Sequence, residues 1–162
     1  MSSADAKHLG EHLEELIIAS IDEIEPVEQR DYWYDAIANR PIGPDHEISI
    51  VDSLEIATDT PIEIKCCQIR VSNGGGTTTS GRWFLKKKQH QQLIEAGGVY
   101  LLVVYDDDEL EPISIIAIPA RSLEDIISSW SDINRRDDAI SKLSWSRVFD
   151  PAQIEAEIGG AA

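Results

Sequence analysis

A carboxylate and an ammonium alternate across a single residue at Glu63-Ile64-Lys65. In an extended strand the side-chain period is two, so Glu63 and Lys65 leave one face together while Ile64 enters the layer behind. Pro44-Asp45 stands earlier, at the expected start of a neighbouring strand. With Asp45 alongside, two carboxylates converge on one lysine. That set suits metal-assisted hydrolysis of a phosphodiester: oxygen ligands hold Mg²⁺ or Mn²⁺, the ion polarises the phosphate and acidifies its water, and Lys65 orients the nucleophile or stabilises developing charge. Asp52 and Asp59, in the long stretch before Glu63, compete with Asp45 for the ligand position. Taken alone, an acidic-x-Lys tripeptide is expected about once by chance in a chain of this size. Read that way it is a strand-surface ion pair worth roughly 0 to 1 kcal/mol.

Positioning these groups takes a sheet and helices. Residues 6–24 place Leu9, Leu13, Leu16, Ile17, Ile21 and Ile24 at three- and four-residue intervals, which predicts an amphipathic helix. At about 100° per residue, Glu14 lies on the flank of that apolar stripe and reaches toward the sheet edge, whereas Glu11 and Glu15 point away. Residues 27–39 read as a second helix, stopped by the Pro41 and Pro44 punctuation. Residues 47–56 and 61–71 are rich in Ile and Val and read as two strands pairing as a hairpin. Residues 72–81 form a glycine-rich flexible loop, and residues 83–96 a helix capped by Gly97-Gly98. Residues 99–105 are apolar on both faces and belong at the centre of the sheet, followed by a strand at 112–118 and a helix at 122–130. The whole is one domain, 1–162, with a looser C-terminal extension from about residue 131 that includes a short helix at 151–158.

The 162 residues include 30 acidic and 14 basic side chains, a formal charge of −16, with 42% hydrophobic residues. That much apolar material closes a core and excludes a disordered tail, a collagen or a disulfide scaffold. The longest uncharged apolar stretch, 99–105, is far too short for a membrane span, and the N-terminus lacks the order of a signal peptide, so a soluble, cytoplasmic protein with no membrane partner is expected. Strong acidity argues either for a partner other than nucleic acid or for a halophile's solvation adaptation, in which net charge is a poor guide to partners. The distribution decides in favour of a polyanion. Residues 64–94 contain no Asp or Glu, yet hold Lys65, Arg70, Arg82, Lys86, Lys87 and Lys88, six of the fourteen basic residues.

In this combination the sequence resembles the PD-(D/E)xK nuclease superfamily, the restriction-endonuclease-like and archaeal Holliday-junction resolvase-like enzymes. The residues that carry the resemblance are Pro44-Asp45, Glu63-x-Lys65, Gly10-x-x-x-Glu14 on the first helix, and the basic helix Lys87-Lys88-Gln89 behind them, across about residues 10–105. The resemblance implies an α/β fold with an α-β-β-β-α-β core and a central mixed sheet flanked by helices. It also implies a Mg²⁺- or Mn²⁺-dependent DNA endonuclease with Asp45, Glu63 and Glu14 at the metal, Lys65 as catalytic lysine and Gln89 as an auxiliary group. DNA would lie along Arg70, Arg82, Lys86, Lys87 and Lys88, with a homodimer possible. The alternative is a non-catalytic nucleic-acid-binding or assembly protein that keeps the nuclease fold.

Other conspicuous residues have plainer roles. Cys66 and Cys67 face opposite sides of one strand, as structural thiols in a reducing compartment do. His8, His12, His46 and His90 lack zinc-site spacing. Gly74-Gly75-Gly76 has no following Gly-Lys-Ser/Thr and is not a phosphate loop. Trp83 packs in the core by default.

Overall fold

A computed structural model of the chain describes residues 3–28, 34–44, 46, 48–52, 55–72, 75–106, 111–127, 129–131 and 139–159. Its centre is a mixed six-stranded sheet of order β1-β2-β4-β8-β9-β3, made of β1 (Ile24–Pro26), β2 (Ala36–Ala38), β3 (Ser49–Ile50), β4 (Pro61–Gln68), β8 (Val99–Tyr105) and β9 (Pro112–Pro119). β4 and β8 run parallel over the whole length of β8, while β2 meets β4 antiparallel and only at Pro61 and Ile62. The run Val-Tyr-Leu-Leu-Val-Val-Tyr is buried at all seven positions, as a strand covered on both faces must be.

Helix α1 (Ser3–Ser20) covers one face. Its Ile17 packs with Ile21, Ile62, Ile64, Leu101 and Val103, and Leu13 is fully buried. Leu16, counted with that apolar stripe in the sequence, is 47% exposed. The opposite face carries a second core of Trp83, Leu85, Leu93, Tyr100, Leu102, Val104, Leu143 and Trp145. It is covered by α2 (Lys87–Glu95), α3 (Ala120–Glu124), α4 (Pro151–Gly159) and a ribbon in which β7 (Arg82–Lys86) pairs antiparallel with β10 (Ile140–Ser144). β5 (Arg70–Ser72) and β6 (Thr78–Ser80) form a small hairpin between β4 and β7. At its base a Cβ on Gly81 would stand 1.7 Å from the Gln68 carbonyl oxygen, so only glycine permits that approach. α2 ends where Gly97, at φ +68, lets Gly98 N–H reach the Leu93 carbonyl at 2.8 Å. The order α1, β1, β2, β4, α2, β8 is the α-β-β-β-α-β core expected from the sequence, with β3 and β5 to β7 inserted. Among the described residues no helix is long and apolar enough to cross a membrane.

Several elements differ from the expectation. Within the described part of 27–39, Ala36–Ala38 is strand and not helix: it buries alternate residues and pairs with β1, and Val27 N–H bonds the Asp35 carbonyl in the β1–β2 hairpin. The segment 47–56 does not pair with β4: β3 lies parallel to β9 at the far edge, and Ile56 makes one bridge to Ile42. Residues 82–86 alternate exposed and buried with period two, so the helix expected from 83 begins only at Lys87. The glycine-rich loop is a hairpin in its described part, and the helix of 122–130 is the shorter α3. The extension after about 131, expected to be looser, supplies Leu143, Trp145 and Ile154, each at most 3% exposed.

Candidate active site

The site forms where β2 leaves β4. Asp35, just before β2, donates its N–H to the Ile62 carbonyl at 3.1 Å, as a ladder residue would. Its Oδ2 then accepts the next ladder hydrogen, Ile64 N–H, at 2.8 Å. A side-chain oxygen has taken the place of a strand carbonyl, so the chain can turn away while its carboxylate stays fixed at the edge of β4.

Glu63 and Lys65 project from one face of β4 beside it. Glu63 is 3% exposed, and Lys65 Nζ stands 3.9 Å from Glu63 Oε2. The Glu63 and Asp35 carboxyl groups meet in a side-chain hydrogen bond. Burial first, then that bond, push the Glu63 carboxyl far above its ordinary value, against the pull of Lys65. From across the sheet edge, half-buried Glu14 on α1 is pushed up to about 7 by burial and by the Asp35 charge, with Lys65 opposing. Glu11, Glu14, Glu15 and Asp35 line one cleft of about 330 Å³ with Ile18, Pro26 and Val27. Cys66, on the α1 side, is raised by burial and by the Glu14 and Asp35 charges, and stays a thiol.

Three of the residues singled out in the sequence thus come together: Glu14, Glu63 and Lys65. Asp45 lies outside the described residues; its neighbour His46 bonds Glu23 through Nε2 at 2.8 Å. Asp59 is an exposed turn residue with φ +68 whose N–H bonds the Ala38 carbonyl, and Asp52 is exposed at φ +55, both in the left-handed region that aspartate tolerates. Gln89 is partly buried on α2. Its helix covers the face from which Glu63 projects, since the next residue, His90, bonds Tyr100, the register partner of Glu63 on β8. Arg82, Lys86 and Lys88 are exposed, Lys87 is half-buried, and exposed Arg70 pairs with Glu155.

Sequence reasoning missed Asp35, which the helix expected at 27–39 concealed. The signal was an acid followed by a short apolar alternation, Asp35-Ala36-Ile37-Ala38, one strand before Glu-x-Lys.

The donor set is carboxylate oxygen with one ammonium, which fits a hard divalent cation. Among the described residues no group of three or more His, Cys, Asp and Glu stands ready to hold a metal ion.

Comparison with known proteins gives one match. Residues 1–150 match the family model described as the PD-(D/E)XK nuclease superfamily domain. No curated protein and no solved structure gives a match.

Proposed function

Since the chain belongs to the PD-(D/E)XK nuclease superfamily, we propose that it is a Mg²⁺- or Mn²⁺-dependent DNA endonuclease whose site is Asp35, Glu63 and Lys65, with Glu14 and Gln89 as auxiliary groups. The observation that carries this reading is the Asp35 carboxylate pinned by Ile64 N–H at the edge of β4, beside buried Glu63 with Lys65 Nζ at 3.9 Å. Carboxyl groups crowded at a partly buried strand edge make a favourable place for a cation, which would relieve their repulsion. In this reading Asp35 takes the role the sequence had offered to Asp45.

The cation supplies Lewis-acid polarisation of a phosphate oxygen. The protein supplies the rest. Asp35, pinned by Ile64 N–H, fixes the position of the ligand set. Glu63, in register with Tyr100 of β8, would hold the ion beside Asp35. Lys65 Nζ, on a side chain 21% exposed, orients the attacking water or stabilises negative charge growing on the phosphate. Glu14 reaches the same centre from α1. Arg82, Lys86, Lys87 and Lys88 line the approach of the DNA, and Arg70 joins them when released from Glu155.

The test is cleavage of supercoiled and branched DNA with Mg²⁺ or Mn²⁺, comparing the wild type with Lys65→Ala. Loss of cleavage, with the thermal midpoint unchanged, is expected, because a partly exposed lysine contributes little packing. Full activity in Lys65→Ala would remove the lysine from the site. DNA binding without any cleavage by the wild type would favour the non-catalytic alternative.

A further inference from the structure

We propose that the outer face of the β7–β10 ribbon is a platform for a single-stranded stretch of nucleic acid, so that the substrate carries an unpaired segment beside the duplex that is cut. This rests on the nuclease reading above and narrows its substrate class.

On β7 the alternation sends Trp83 and Leu85 inward and Arg82, Phe84 and Lys86 outward. On β10 it sends Ser141 and Leu143 inward and turns Lys142 out, with Ile140 and Ser144 half-buried beside it. The register pairs Lys142 with Phe84, and Lys142 Nζ stands 5.5 Å from the Phe84 ring centroid. Six outward positions therefore carry three cations, an aromatic ring and no carboxylate, in a chain of charge −16. Phe84 is 54% exposed, one of two large hydrophobic side chains left so open among the described residues. Along β7 the order is cation, aromatic, cation at two-residue intervals, about 6.8 Å apart. That is the spacing of a strip which holds phosphates on both sides of a stacked base.

The setting selects a single strand over a duplex groove. The ribbon lies flat on the core: the Trp83 indole N–H bonds the Val103 carbonyl at 3.0 Å, Ser131 and Ile140 exchange backbone hydrogen bonds along the outer edge of β10, and Lys87 N–H bonds the Ala139 carbonyl. A ribbon that reads a major groove must project into it, whereas this one is backed and flanked by its own chain. Phenylalanine has no group to bond a base edge, and its ring face is the one surface it offers. A π face is free to meet it only when a base is unstacked from its duplex neighbours.

Fluorescence anisotropy of the full chain in EDTA, with a labelled oligothymidylate of about 16 nucleotides and a hairpin duplex as probes, tests this. Phe84→Ala is expected to weaken oligothymidylate binding at least about fivefold while leaving duplex binding within about twofold, and Phe84→Trp to restore it. Lys142→Gln is expected to flatten the salt dependence by about 0.7. Phe84 and Lys142 are exposed, so both variants fold, and their thermal midpoints verify it. Unchanged oligothymidylate binding in Phe84→Ala overturns the platform. Equal weakening for both probes overturns the single-strand assignment in favour of groove binding. The measurement in EDTA involves no cleavage, so its failure is separate from failure of the Lys65→Ala test, which bears on the site alone.

Discussion

The edge of β4 and the outer face of the β7–β10 ribbon are opposite answers to the same shortage of positive charge. At β4 the chain gathers Glu14, Asp35 and Glu63 around one lysine and buries Glu63 almost completely. At the ribbon it sets Arg82, Lys86 and Lys142 in the open with no acid among them. Burial makes the difference. Exposed cations are screened and interact weakly with one another, so the ribbon keeps its charges at little cost, and in the reading proposed above they face a polyanion. Carboxyl groups crowded together with one of them buried resist being charged at once, and burial raises Glu63 and Glu14. Where a charge is buried it specifies a ligand atom by atom; where it is exposed it specifies only a sign.

The largest effect that separates the two regions is at Asp35. Asp35→Asn keeps the bond from Ile64 N–H but removes the charge, and should reduce cleavage at least about a hundredfold, the order seen when one charge-stabilising group is lost from an active site. The same exchange at Asp45 should leave turnover near wild type, and an Asp45→Asn variant as impaired as Asp35→Asn would return Asp45 to the site. Both are read by single-turnover cleavage. Oligothymidylate binding in EDTA should be untouched by either, because the ribbon does not depend on the β4 charges.

Smaller effects sharpen the same contrast. Glu14→Gln should weaken Mg²⁺ dependence severalfold, while Glu11→Gln and Glu15→Gln stay near wild type, since Glu14 is half-buried whereas Glu11 and Glu15 are exposed. All four acids line the 330 Å³ cleft, so equal effects at the three glutamates would mean that the cleft, not the Asp35–Glu63 pair, attracts the cation.

The Glu63-x-Lys65 face, the flank position of Glu14 and the buried central strand were legible because each rests on a local period: two along a strand, 3.6 along a helix. Asp35 was not, because its role depends on a long-range event, the parting of β2 from β4, and short strands such as Ala36–Ala38 carry too few residues to display their period. The same limit hid β7, where Arg-Trp-Phe-Leu-Lys alternates for only five residues before the helix begins. Its pairing with Ile140–Ser144, more than fifty residues away, turned a presumed helix face into a ribbon and drew the C-terminal extension into the core. Residue types announced the chemistry; nonlocal pairing decided which residues perform it.

The central proposal is that the edge of β4 at Asp35 and Glu63 binds a divalent cation in competition with protons. Glu14 and Glu63 are raised when folded, so the metal-free protein draws stability from them below their unfolded values near 4.5 and loses it as pH rises, through about 7 for Glu14 and higher for Glu63. A cation must displace those protons. Calorimetric titration of the metal-free chain with Mn²⁺ at pH 6 and pH 8, in buffers of different ionisation enthalpy, measures the exchange directly. Tighter binding at pH 8 with proton release, both lost in Asp35→Asn, is the predicted result. Binding of Mn²⁺ that is independent of pH and unchanged in Asp35→Asn would contradict it.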